Sequence, residues 1–132
     1  MLAQVRPGVL DEEARAAYAA AYTPDRDTSA GLGSMEAGMR GAKLFEVVLR
    51  GEVVGRYALR MIDHPNGAEL HIVAAAGGLR GVDLVAAVLP HVEHQAAGAD
   101  RITTCTRRKG LVRKLQKQGW QIDCYTLGKR LK

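Results

Sequence analysis

A short apolar strand that runs into a glycine corner and straight on into an apolar-striped helix constrains this chain more than any other segment. Leu70-His71-Ile72-Val73-Ala74 is followed by Gly77, Gly78 and Gly81. From Arg80 to Ala97, Val82, Val85, Leu89, Val92 and Ala96 then recur at three- and four-residue steps. That period predicts a helix with one face for a sheet, with a kink at Pro90, whose ring and missing N–H break the ladder, and Gly98 as its cap. Arg101 to Thr106 is β-branched and reads as a second strand. A strand–helix–strand unit of this length favours a right-handed crossover and a parallel pair. Tight glycines at the start of a helix aim unpaired backbone N–H groups and the positive helix end the same way, so the corner suits an anion.

The segments before it predict an antiparallel meander. Leu44 to Arg50 and Val53 to Met61 alternate apolar and polar, with Gly51-Glu52 suited to a type II′ turn between them. Asp63-His64-Pro65-Asn66-Gly67 carries the chemistry of a second turn, and Glu69 to Ala75 is the third strand. Leu10 to Tyr22 is a helix with Asp11, Glu12 and Glu13 at its start, where they complement the helix dipole. Thr28 to Gly41 holds a short second helix. Past the crossover, Leu111, Val112 and Leu115 give the last helix one apolar face, Gly119-Trp120 closes it, and Ile122 to Leu131 can supply one or two final strands.

With 132 residues the chain is long enough for one domain and a real core. One Trp, one Phe and four Tyr leave that core aliphatic and alanine-rich. No apolar run reaches membrane-spanning length, the N-terminus does not read as a signal peptide, and Cys105 and Cys124 follow no metal spacing. A cytoplasmic protein with reduced thiols is the expectation. Charge is unevenly spread: residues 1–100 hold nine Lys/Arg against thirteen Asp/Glu, residues 101–132 ten against one. So basic a third needs solvent or an anionic partner.

The strand, corner and helix, with Gly78-Leu79-Arg80-Gly81-Val82-Asp83 standing where a Gln/Arg-x-x-Gly-x-Gly/Ala loop would, resemble the acyl-CoA-binding half of the GNAT N-acetyltransferase superfamily. Small phage-encoded GNAT-like proteins are similar in kind. The resemblance implies one α/β (α+β) domain with a mixed, mostly antiparallel sheet, splayed in the middle, and helices on both faces. Residues 1–43 would be a variable helical front end. Residues 44–106 would hold the hairpin, central strand, cofactor loop and main helix, and residues 107–132 the basic helix and terminal strands. It implies acetyl-CoA or another acyl-CoA as a substrate, bound at Val73, Ala74, Gly77, Gly78, Leu79, Arg80, Gly81, Val82 and Asp83. The backbone N–H groups of Val73 and Ala74 would face the thioester oxygen. The sequence departs from the family pattern in four places, one of them the lack of an Asn at Thr106 to Arg108, where the family often carries one before the last helix. Gly78 replaces Gln/Arg, Asp83 replaces a small residue and puts a carboxylate beside the anion site, and Leu115 stands where a tyrosine commonly protonates the departing thiolate. Tyr125 could replace that tyrosine only if a following strand carried it to the cleft.

Direct transfer to an amine also needs a base, often a carboxylate acting through water. Glu69 and His71, two apart on the central strand, are the candidates, with Glu46 on the neighbouring hairpin a third. His91 and His94 have no further metal ligands near them and read as surface residues. Arg107, Arg108, Lys109, Arg113, Lys114 and Lys117 line a basic amphipathic helix that can touch nucleic-acid backbone nonspecifically or reach a cofactor's phosphates. Two functions follow: an acyl-CoA-dependent N-acyltransferase acting on a small-molecule or protein amine, or an inactive GNAT-fold binding protein working through its basic third or as a homodimer.

Overall fold

A computed structural model describes residues 3–78, 81 and 83–132. The elements are β1 (Gln4–Pro7), α1 (Glu12–Ala21), α2 (Met35–Met39), β2 (Lys43–Leu49), β3 (Glu52–His64), β4 (Gly67–Gly77), α3 (Leu84–Gln95), β5 (Arg101–Thr104) and α4 (Lys109–Lys117). Sheet order follows chain order, β1 to β5. Every pairing is antiparallel except β4–β5, which is parallel, with α3 as the crossover.

Strand β1 adds an edge that residue patterning does not announce. It is four residues long, contains Pro7, and pairs Val5 with Val47. Proline is tolerated there because an edge strand leaves one side of its backbone unpaired. The β2–β3 turn also differs from expectation. Its two loop residues are Arg50 and Gly51, with φ of 53° and 79°. Positive φ at both central positions is the type I′ geometry, not II′, and it matches the twist of the flanking strands.

Two bulges decide which face each residue meets. Val47 pairs with Gly55 and Val48 with Val53, so Val54 is the extra residue in β3. Ala58 pairs with Ala74 and Leu59 with Ile72, so Val73 is the extra residue in β4. A strand alternates faces with period two, so one inserted residue swaps the facing of all that follow. Leu70 and Ile72 therefore pack with Val47, Tyr57, Leu59 and Val92 on the α3 side. Ala74 and Ala76 pack with Ala58, Ala14, Tyr18 and Met39 on the α1/α2 side. Helices cover both faces.

Short polar side chains start three helices. Asp11 accepts the Ala14 N–H at 2.8 Å, Ser34 the Ala37 N–H at 3.1 Å and Asp83 the Ala86 N–H at 3.3 Å. Each occupies a donor that the first helical turn leaves free. Helix α3 runs unbroken through Pro90 and is capped by Ala96; Gly98 is not among the left-handed glycines. At the end of α4, Gly119 N–H reaches the Gln116 carbonyl and Trp120 N–H the Leu115 carbonyl, both at 3.1 Å, with Gly119 at φ 90°. This is the Schellman closure the Gly-Trp pair predicts.

The expected final strands do not form. Residues 118–132 carry no helix or strand. They follow the body through side-chain contacts, Arg101 to Asp123 at 3.0 Å and Arg130 to the Ala30 carbonyl at 3.0 Å. Tyr125, Leu127 and Leu131 stay exposed. With Ile122 exposed as well, the tail's apolar side chains gain little burial to offset the entropy of ordering a strand. Among the described residues no helix is long and apolar enough to cross a membrane.

Leu59 lies at the centre of the α3-side cluster, 4% exposed. Leu59→Ala is expected to cost about 2–5 kcal/mol, read as a lowered midpoint in urea denaturation with an unchanged slope.

Candidate active site

Strands β4 and β5 are joined at one end only. Their pairing runs from Glu69–Arg101 to Ile72–Thr104. Below it, Asp100 accepts the Ala68 N–H at 2.8 Å and donates its own N–H to the Ala68 carbonyl at 2.8 Å. The last link is the Thr104 hydroxyl donating to the Ile72 carbonyl at 3.2 Å. The next residue of β4 is the bulged Val73. Beyond it β4 continues to Gly77, while β5 has already ended.

The parting opens a cavity of about 350 Å³, within the range of small-molecule sites. Ile72 to Gly77 form its floor, Val88 and Leu111 are on the α3/α4 side, and Tyr18 and Met39 on the α1/α2 side. The gap therefore passes through the plane of the sheet. Ala74, Ala75 and Ala76 keep it wide because they project so little.

At the upper end the chain turns at Gly77, with φ 108°. A Cβ there would meet the Gly55 Cα and the Val54 oxygen, each at 2.6 Å, so only glycine fits. The Gly78 N–H donates to the Val54 carbonyl at 3.1 Å, which holds the corner against β3. Gly81 has φ 78°. Leu79, Arg80 and Val82 of the expected loop lie outside the described residues. Asp83 caps α3 as noted, and its carboxylate also lies 3.6 Å from Lys114 Nζ of α4. The capping bond and the ammonium both reduce the negative charge it presents to the corner.

Val73, Ala74 and Gly77 line the cavity; Glu69 and His71 are not among its lining residues. Both belong to the zipped end of β4, on the α1/α2 face, because they alternate with Leu70 and Ile72. There they form a chain. The Thr103 hydroxyl donates to Glu69, His71 Nδ1 lies 2.9 Å from the same hydroxyl, and His64 Nε2 lies 2.8 Å from Glu69. The Thr103 hydroxyl and then His64 hold the Glu69 carboxyl below its ordinary range. Burial pushes the His71 ring down, Glu69 opposes this, and Arg60 adds to it.

Leu115 is buried and lines the cavity, so position 115 itself offers no hydroxyl. Tyr125 does not take its place, since it is 82% exposed in the tail. Glu46 lies 2.9 Å from Arg6 and 4.0 Å from Arg56. His91 Nε2–H donates to the Ala3 carbonyl at 3.0 Å. Among the described residues no group of His, Cys, Asp and Glu could hold a metal, and Cys105 and Cys124 are free and exposed. Of the basic residues, Arg108 lines the cavity, while Arg107 reaches the Pro24 and Asp27 carbonyls at 3.4 and 3.3 Å.

Two features escaped sequence reasoning. Tyr18 and Arg56 both line the cavity, and both hold a buried polar atom without a partner, Tyr18 Oη and Arg56 Nε. Each sits at an ordinary helix or strand position, and only the fold brings them together.

No family model matches the sequence, and no curated protein matches it. Solved structures do. A GNAT family acetyltransferase from Elizabethkingia anophelis with acetyl-CoA bound superposes with a TM-score of 0.69 at 14% identity, over 92% of this chain and 78% of that one. A ribosomal-protein-alanine N-acetyltransferase from Brucella melitensis gives 0.67 at 15%, over 99% and 100%. An aminoglycoside acetyltransferase from an uncultured soil sample gives 0.65 at 15%, over the whole of both chains. Likeness at this identity establishes the fold, a single GNAT-like domain.

The depressed His71 gives a signed prediction. A ring held neutral in the fold stabilises it fully above the ordinary value of 6.5, and that stabilisation is lost as pH falls through the lowered value. The lowered Glu69 carboxyl adds a second loss below its ordinary 4.5. Thermal melts should therefore show stability falling between pH 7 and pH 5 in the wild type. His71→Asn should flatten that first segment.

Proposed function

We propose that the protein transfers an acyl group from acyl-CoA to an amine. The observation that carries this reading is the parting of β4 from β5 after Ile72–Thr104, which leaves an apolar slot leading from the glycine corner through the sheet. The residues present fit such a substrate. The pyrophosphate would lie at the corner, beside Gly77 and Gly81 and the start of α3, where helix-end N–H groups favour anions, with Gly78 held back by its bond to Val54. Lys114 offsets Asp83 there, and Arg108 stands ready for a phosphate at the α4 side. The pantetheine arm would run along Ala76, Ala75 and Ala74.

In this reading the thioester carbonyl sits at the Val73 bulge. A bulge leaves its extra residue, Val73, out of the ladder, and the parting leaves Ala74 without a β5 neighbour; the Val73 and Ala74 N–H groups are therefore the donors proposed for the oxygen as it gains charge. The amine nitrogen attacks the carbonyl carbon, the C–S bond breaks, and the nitrogen gives up a proton. Glu69 is the proposed base. It lies below the slot and would act through water, held ionised by Thr103 and His64. His71 positions that network through the Thr103 hydroxyl. With leucine at 115, the departing thiolate takes its proton from water.

A second reading draws on the C-terminal third. Arg113 and Lys117 of α4 are exposed, and the tail beyond them shows Tyr125, Leu127 and Leu131 to solvent. As a binding module this surface would take a polyanion such as nucleic acid, nonspecifically and with steep salt dependence.

Calorimetric titration with acetyl-CoA separates the two. Binding that survives moderate salt, and that is abolished in a folded Gly81→Glu variant, is expected for the transferase. Glu69→Gln should then retain acetyl-CoA binding and lower kcat about 100-fold or more. Absence of acetyl-CoA binding, with salt-sensitive binding of nucleic acid, would replace the first reading by the second.

A further inference from the structure

The α1/α2 side of the cavity holds two buried donors without partners. Tyr18 is 2% exposed, and its hydroxyl has no partner. Burial raises it to about 12, so it remains a hydrogen-bond donor throughout the physiological range. Arg56, with its side chain 11% exposed, holds an unpartnered Nε. Its Nη2 is only loosely paired, 3.5 Å from Glu13 and 4.0 Å from Glu46, and neither carboxylate lines the cavity. Buried donors left unmade are costly, and a guanidinium edge beside a phenol fits a carboxylate or phosphate oxygen.

The charge of the lining agrees. Arg26, Arg56 and Arg108 line the cavity, and among the described residues no Asp or Glu does. Such a wall repels a polycation. It also disfavours a protonated ammonium near it, which helps present the neutral amine that can attack. An amine without a compensating group would bind poorly in that field.

We infer that the acceptor is a small amine carrying its own oxyanion, a carboxylate or a phosphate, which docks on Arg56 and Tyr18. This rests on the acyl-transfer reading for the identity of the site. Arg56 pairs with Ala76, next to the glycine corner, so the competing occupant of the guanidinium is a phosphate of acyl-CoA. Facing argues for the acceptor. Arg56 shares the side of Ala58 and Tyr18, whereas the corner leads into α3 on the opposite side.

The test titrates wild type, Tyr18→Phe, Arg56→Gln and Arg56→Lys with glycine, phosphoethanolamine, spermidine and acetyl-CoA, each alone and with CoA present. The expected result is binding of glycine or phosphoethanolamine and not of spermidine. That binding should weaken roughly tenfold or more in Tyr18→Phe and Arg56→Gln, with part restored in Arg56→Lys. Acetyl-CoA affinity should be the same in all four proteins. Whichever of glycine and phosphoethanolamine binds identifies the oxyanion. The inference is overturned if Arg56→Gln weakens acetyl-CoA instead, if spermidine binds best, or if acetyl-CoA binds and neither anionic amine does. Loss of acetyl-CoA binding in the wild type, with the anionic amine still bound, would sink the transferase reading and leave the oxyanion site standing. Binding of no compound in the panel would overturn both.

Discussion

Everything proposed for this molecule depends on where two parallel strands stop being neighbours. β4 and β5 share four residue pairs and then separate. Backbone groups at a parting must be satisfied by something, and the Thr104 hydroxyl provides the last bond across it. Had the ladder continued, the sheet would be closed, and Ala74, Ala75 and Ala76 would face a neighbouring strand. The bulge at Val73 lies at the same level. It turns the upper half of β4 over, so that one strand supplies the α3-side core below and the α1-side wall above. Parting and bulge together convert a structural strand into the lining of a slot.

How much of this could be read in the residues differs from element to element. The helices were legible, because acidic residues open α1 and the apolar stripe of α3 has a clear period; the capping bonds of Asp11, Ser34 and Asp83 came only with the structure. The meander was legible through its turns, although an arginine taking a left-handed conformation at position 50 moved the first loop by one residue. The bulges were not legible, because an alternating pattern with one inserted residue resembles one that drifts out of phase. The terminal strands were anticipated from Ile122 to Leu131 and are not formed, since strand propensity without a face to bury does not make a strand.

The site followed the same division. Gly77 could be located because only glycine tolerates its place in the corner. Asp83 looked like an obstacle in the sequence, and nothing local revealed Lys114, which comes from another helix to lie beside it. Glu69 and His71 were correctly grouped on one strand face, yet their partner Thr103 is 32 residues from His71 in sequence and one strand away in space. Tyr18 and Arg56 lie further apart still. Long-range pairs of this kind carry no pattern in a single sequence.

The wall of the slot has one more property. Alanine has no side-chain rotamer to lose when it is buried, unlike the longer residues that pay conformational entropy on being held in place. Three consecutive alanines therefore form a surface that is already in its final arrangement. Whatever fills the gap between β4 and β5 meets, on that side, a wall with nothing to freeze. The thermodynamic cost of occupancy falls on the incoming molecule and on the water it displaces.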